Sequence, residues 1–106
     1  VHFSNNQITD LSPIANWRPT VSVHFYANQI TDLSPIANWR PTGALKFDAN
    51  QITNTDFAIN FAALTACSLI RFDGGTNAAP TTAACTDIAS ILARGATLLY
   101  NGSVSC

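Results

Sequence analysis

An α/β fold of stacked coils, each one short strand followed by one helical turn, is predicted by three features of this 106-residue chain. The words from Val1 to Thr20 return from Val23 to Thr42, with only Ser4/Tyr26 and Asn5/Ala27 changed, and return blurred from Leu45, 22 residues on each time. Every copy opens apolar, any, apolar, two of any, Asn, any, apolar, which alternates like a strand and then bends. A Ser-Pro pair follows in the first two copies, where a helical turn can start.

The elements follow in chain order. Val23 and Phe25 share the inward face of a strand. Asn28 stands at the bend, where a short amide can bond the main-chain groups that the turn leaves over. Asn6, Asn28 and Asn50 are then expected to form a ladder. Asp10 and Asp32 read as turn formers. Ser34 reads as a helix N-cap with Pro35 behind it, and Leu33, Ile36 and Trp39 close the coil from its convex side, as do their counterparts up to Trp17. The turn ends at Arg40, because a residue before proline is pushed out of the helical region.

Coil one covers about residues 1–21, coil two 22–43, coil three 44–68, coil four 69–96, and a C-terminal cap 97–106. In coil three a longer helix is expected, with Thr55 as its cap and Phe57, Phe61 and Leu64 on its inner face. Coil four opens with Ile70 and Phe72, puts Gly75 at the ladder position, and runs into a loop from Gly74 to Ala84. A second helix is expected from Thr86 to Arg94, facing inward with Ile88, Ile91 and Leu92 and stopped by Gly95. Leu98 and Tyr100 make a fifth strand. Phe3, Phe25, Phe47, Phe72 and Tyr100 then fall in one column as an aromatic core stack.

The chain makes a single domain, in which each coil shields its neighbour and about three are needed for stability. Five Lys or Arg balance six Asp or Glu, so nothing advertises nucleic acid or an anionic membrane. No run approaches the roughly 18 apolar residues of a membrane span. A start inside a strand and the lack of any Met suggest a mature or excised segment of a longer protein. With three cysteines, one disulfide is expected: we pair Cys85 with Cys106 and take Cys67 as a buried thiol, with pairing through Cys67 as the rival. The sequon Asn101-Gly102-Ser103 makes Asn101 a glycosylation candidate. Together these point to an extracellular or cell-surface setting.

A repeat period of about 20 to 29 residues with this order of positions is the signature of a leucine-rich repeat. Through NQITDLSPIANW at 6–17 and 28–39, the chain resembles the internalin-like, 22-residue class of bacterial leucine-rich repeats. The likeness is close in coils one and two, loose in coil three, and confined to strand positions beyond. It implies a right-handed leucine-rich-repeat solenoid, with about five short parallel strands on the concave face and helical turns, then two longer helices, on the convex face. It further implies a bacterial surface or secreted protein that grips another protein. Trp17 and Trp39 depart from it, standing where the class usually has Leu.

Outward strand residues build the expected binding face. One row reads His2, His24, Lys46, Arg71 and Leu99, and the next Ser4, Tyr26, Asp48, Asp73 and Asn101. His24, Tyr26, Lys46, Asp48, Arg71 and Asp73 are the candidate binding residues, since Tyr and Arg anchor many interfaces. The plainer reading is a solvated sheet whose neighbouring charges balance. Two histidines explained by repeat copying do not supply the three or four ligands of a metal site, so no metal and no cofactor are expected. No nucleophile, base and pocket occur together, so no catalytic residue is named. The expected function is a non-catalytic module for protein binding or cell adhesion, taking a protein or glycan ligand. The alternative is a filament subunit that stacks end to end, because the first coil presents Phe3, Ile8, Leu11 and Trp17 with no capping sequence before it.

Overall fold

The computed structural model describes residues 2–64 and 66–106. It is an α/β fold with a parallel sheet of four strands, β1 Val23–His24, β2 Ala44–Lys46, β3 Leu69–Phe72 and β4 Thr97–Tyr100, side by side in chain order. Helices α1 Thr55–Ala63 and α2 Cys85–Ala93 pack on each other and on the sheet's last two strands. Short 3₁₀ turns at Ser12–Ile14 and Ser34–Ile36 occupy the corresponding places in the first two repeats. Of the five expected strands, coil one contributes only a bridge from His2 to His24. It lies beyond β1, at the sheet's edge, and the strand start expected at Val1 lies outside the described residues.

Strand register follows the repeated strand pattern as the spacing lengthens: Val23 lies beside Leu45, 22 residues on, and Leu45 beside Ile70, 25 residues on, all three buried. Phe25 and Phe47 stack at 5.5 Å between ring centroids, and Phe47 and Phe72 at 6.5 Å. Phe3 extends the column at 5.2 Å from Phe25 but is partly exposed. Tyr100, the register partner of Phe72, sits at the margin of the core, half-buried on the edge strand.

The ladder is built from Asn28 and Asn50, and Asn77 continues it. Asn28 Nδ2 donates to Phe3 O and Phe25 O, and its Oδ1 accepts from the N–H groups of Asn6 and Ile8. Asn6, with no described coil beyond it, bonds only within its own turn through Nδ2, and is exposed. In coil four the expectation of Gly75 at this position is corrected. Asn77 holds it, donating to Phe47 O and Phe72 O and accepting from Ile52 N–H. Gly74 and Gly75 take up the two added residues in left-handed conformations, φ 74° and 55°. At Gly75 a Cβ would lie 2.7 Å from Asn50 O, so the close approach needs glycine.

The residue before each earlier ladder Asn is also left-handed, with φ 59° at Asn5, 59° at Ala27 and 54° at Ala49. Alanine is strained there by about 1 kcal/mol. Ala49→Gly is therefore expected to raise stability, by about 0.5–1 kcal/mol, in a chemical denaturation experiment; a loss of stability would contradict the strain.

Local expectations in three elements are also corrected. The turn at Ser34 is capped by no hydroxyl: Asp32 accepts from Ser34 N–H and Oγ, and Ser34 itself is the first helical residue. Helix α1 is capped by Asn54, whose Oδ1 accepts from Phe57 N–H, while Thr55 is buried and donates to Ala78 O. Its buried face is Thr55, Ala58, Ile59, Phe61 and Ala62, with Phe57 half-buried and Leu64 exposed. Leu64 stands past the last helical residue, at the C-cap, and so leaves the face that Phe57 and Phe61 share. Helix α2 starts one residue early, at Cys85, and buries Ile88 and Ile91 while Leu92 faces outward.

Cys85 and Cys106 form the disulfide and Cys67 is buried outside it. The bridge closes a loop of 21 residues, which in the chain-entropy account is worth about 3 kcal/mol.

Candidate functional site

Parallel pairing carries the outward row across the sheet: His2 lies beside His24, His24 beside Lys46, Lys46 beside Arg71 and Arg71 beside Leu99. The second row follows two residues on. Tyr26, Asp48 and Asp73 occupy equivalent places, their carbonyls accepting from the N–H of Asn5, Ala27 and Ala49 in the preceding coils. All six candidate binding residues therefore lie on one face, partly exposed.

Their contacts differ from simple pairing along each strand. Lys46 Nζ sits 5.9 Å from the centroid of the Tyr26 ring, one coil back. That is within the range of a cation–π contact. Arg71 serves both acids: it grips Asp73 through Nε at 3.1 Å and Nη2 at 2.9 Å, and Nη2 is 3.9 Å from Asp48. Asp48 is the more enclosed, with Oδ1 buried and unbonded among the described residues. Burial, above all, pushes its carboxyl above the usual range, with Arg71 pulling the other way. Asp73 is held below its usual range, chiefly by the hydrogen bond from Arg71, which is itself raised by that bond.

His2 and His24 meet edge to face at 4.1 Å between centroids, and His24 lies 6.2 Å from Tyr26. The His24 imidazole is lowered below 6.5, first by burial and then by the charges of His2 and Lys46. A lowered histidine is neutral in the folded chain while the unfolded chain still binds a proton. Its contribution is thus complete above pH 6.5 and is lost as pH falls through the folded value. Melting at pH 7.5 and 5.5 is expected to show a smaller drop on acidification in His24→Gln than in the parent. Equal drops would contradict the assignment.

Asn101, the glycosylation candidate, is engaged. Its Nδ2 donates to Gly74 O and Asn77 O, and its Oδ1 accepts from Gly74 N–H. A glycan on that nitrogen would take the place of one of the two hydrogens in use.

Arg94 escapes sequence reasoning altogether. Its guanidinium donates to the carbonyls of Ala62, Ala63 and Cys67, closing the end of α1 from the far end of α2. Nothing in the local pattern marks it. Asn77, by contrast, is signalled by the pair Gly74-Gly75, which delays the amide.

Chemically the face offers an aromatic ring under a cation, an arginine between two carboxylates and a pair of imidazoles. Among the described residues, no three His, Cys, Asp or Glu come close enough to share a metal. A hollow of about 190 Å³ lies elsewhere, lined by Phe3, Ile8, Asp10, Leu11, Pro13 and Ile14 of coil one and by Phe25 of coil two. Comparison with protein-family models, with curated proteins and with solved structures returns no match. Among the described residues no helix is long and apolar enough to cross a membrane.

Proposed function

We propose that this chain is a leucine-rich-repeat solenoid that works as a non-catalytic binding module, extracellular or on a cell surface, recognising a protein through its outward strand residues. The observation that supports this is the stripe formed by His24, Tyr26, Lys46, Asp48, Arg71 and Asp73, polar and aromatic, on a hydrogen-bonded parallel sheet. Tyrosine and arginine supply most binding energy where they occur at interfaces, and a preformed face limits the ordering cost. The disulfide suits an oxidising setting.

Labelled protein applied to intact cells, before and after surface proteolysis, tests the reading. Protease-sensitive binding is expected, and Tyr26→Ala with Arg71→Ala should weaken it about 30-fold or more, as the loss of a strong anchor does. Leu64→Ala with Leu92→Ala, away from the stripe, should leave it unchanged. Equal binding by both double variants would overturn the proposal, and resistance to protease would point to a glycan ligand.

End-to-end assembly is the second reading, favoured by the exposure of Phe3 and Trp17 on coil one. The opposite end is less suited to it: Val104 packs on the core and Cys106 is tied to Cys85.

A further inference from the structure

Donors and acceptors are unevenly shared along the sheet face. At the β3 end the two carboxylates are provided for: Arg71 binds Asp73 through Nε and Nη2, and its Nη2 lies 3.9 Å from Asp48. At the β1 end the opposite holds. The Tyr26 hydroxyl and the Lys46 ammonium are donors, and the neutral His24 imidazole carries one N–H. Among the described residues none of these three side chains is hydrogen-bonded to an acceptor, and Lys46 is in no ion pair.

The three donors stand together. His24 and Lys46 are register partners on β1 and β2, the His24 and Tyr26 ring centroids are 6.2 Å apart, and Lys46 Nζ lies 5.9 Å from the centroid of Tyr26. The acid two residues along from Lys46 does little to offset them. The Asp48 side chain is only 14% exposed, and Arg71 acts on its charge more strongly than Lys46 does.

We infer that the triangle of His24, Tyr26 and Lys46 is a seat for a carboxylate side chain, an aspartate or glutamate on the protein partner. The inference rests on the reading of this face as the binding surface and states what the face takes. Lys46 supplies the charge, and the His24 N–H and Tyr26 O–H supply directed hydrogen bonds, which an ionised acceptor strengthens. A basic side chain has no comparable place, because Arg71 already holds the carboxylates. An acidic sugar fits less well, since a sugar ring packs on an aromatic face and Lys46 stands over that of Tyr26.

An amide-resolved NMR titration of the isotope-labelled chain at low salt tests this with capped tetraglutamate, capped tetralysine and tetragalacturonate as probes. Tetraglutamate is expected to move the amides of His24, Tyr26 and Lys46 first, and to lose most of its effect at about 1 M salt, where the screening length falls to about 3 Å. Lys46→Gln should weaken its binding about 3-fold or more, the scale of an exposed ion pair. Arg18→Gln removes the same charge from a residue bonded to the carbonyls of Ala15 and Trp17, away from the sheet, and should leave binding unchanged. Tetralysine and tetragalacturonate should leave the three amides in place. The inference is overturned if tetraglutamate leaves them unmoved, if tetralysine moves them as far, or if both variants weaken binding equally. Equal or stronger shifts with tetragalacturonate overturn it in favour of an acidic glycan. Cell binding separates the two readings. If Tyr26→Ala with Arg71→Ala weakens it while tetraglutamate is inert, the seat alone falls; if it ignores those variants, the reading of the face falls and the seat with it.

Discussion

Asn50→Ala is expected to cost about 4 kcal/mol of folding stability, close to the whole margin of a chain this small. The Asn50 amide donates to the carbonyls of Phe25, Phe47 and Asp48 at 2.9, 3.0 and 3.1 Å, and its Oδ1 accepts from Ile30 N–H at 3.1 Å. Two amide hydrogens are shared among the three carbonyls, so at about 1 kcal/mol net for each bond the total is about 3, and a buried, abandoned N–H at Ile30 brings it near 4. Alanine cannot call in water, because Asn50 and Ile30 are buried between coils. The same change at Asn6, whose side chain is exposed, should cost about 1 kcal/mol, since water replaces its bonds. Urea denaturation of both variants checks the pair, and a loss below about 1 kcal/mol for Asn50→Ala would refute the ladder as a source of stability.

Phe47→Ala should be comparably severe, at about 3–5 kcal/mol. Its ring is sandwiched between Phe25 and Phe72 in a close-packed column, so truncation leaves a cavity that neither neighbouring coil can fill. Phe3→Ala removes the same atoms from the end of the column, where one side of the ring already meets solvent, and should cost about half as much or less. The contrast is more informative than either value. Two phenylalanines at equivalent positions of the 22-residue period differ only in the neighbours that cover them. Equal losses would mean that the column is not what stabilises the chain.

What could be read in advance is local and periodic. Alternation at Val23 and Phe25 implies a strand with one inward face. A short amide at Asn28 implies a bend that must satisfy main-chain groups, and Asp32 before Ser34 implies a turn. These depend on residues within a few positions of each other, so the physics is contained in the words themselves. Repetition adds the outward rows, because the recurring strand pattern, not equal spacing, places His24, Lys46 and Arg71 side by side. The pairing of Cys85 with Cys106 is expected ahead of a rival through Cys67 from a placement near strand ends, whereas in the structure Cys85 opens helix α2.

Tertiary structure decided what depends on unequal neighbours. The apolar spacing of Phe57, Phe61 and Leu64 describes a helical face but not where that helix ends. The helix ends at Ala63, so Phe61 is buried, Phe57 packs on the core, and Leu64 at the C-cap is left outside. Arg94 clamps carbonyls 31 and 32 residues away, and Arg71 divides its charge between Asp73, just past its own strand, and Asp48 on the preceding coil. Whether Asn77 belongs to the ladder depended on how Gly74 and Gly75 absorb two extra residues. The sequence by itself determined the repeating unit, since strand, bend and turn arise from short-range sterics and hydrogen bonding. Only packing determined which copy of that unit is covered, since burial is a property of what lies alongside and not of the residue.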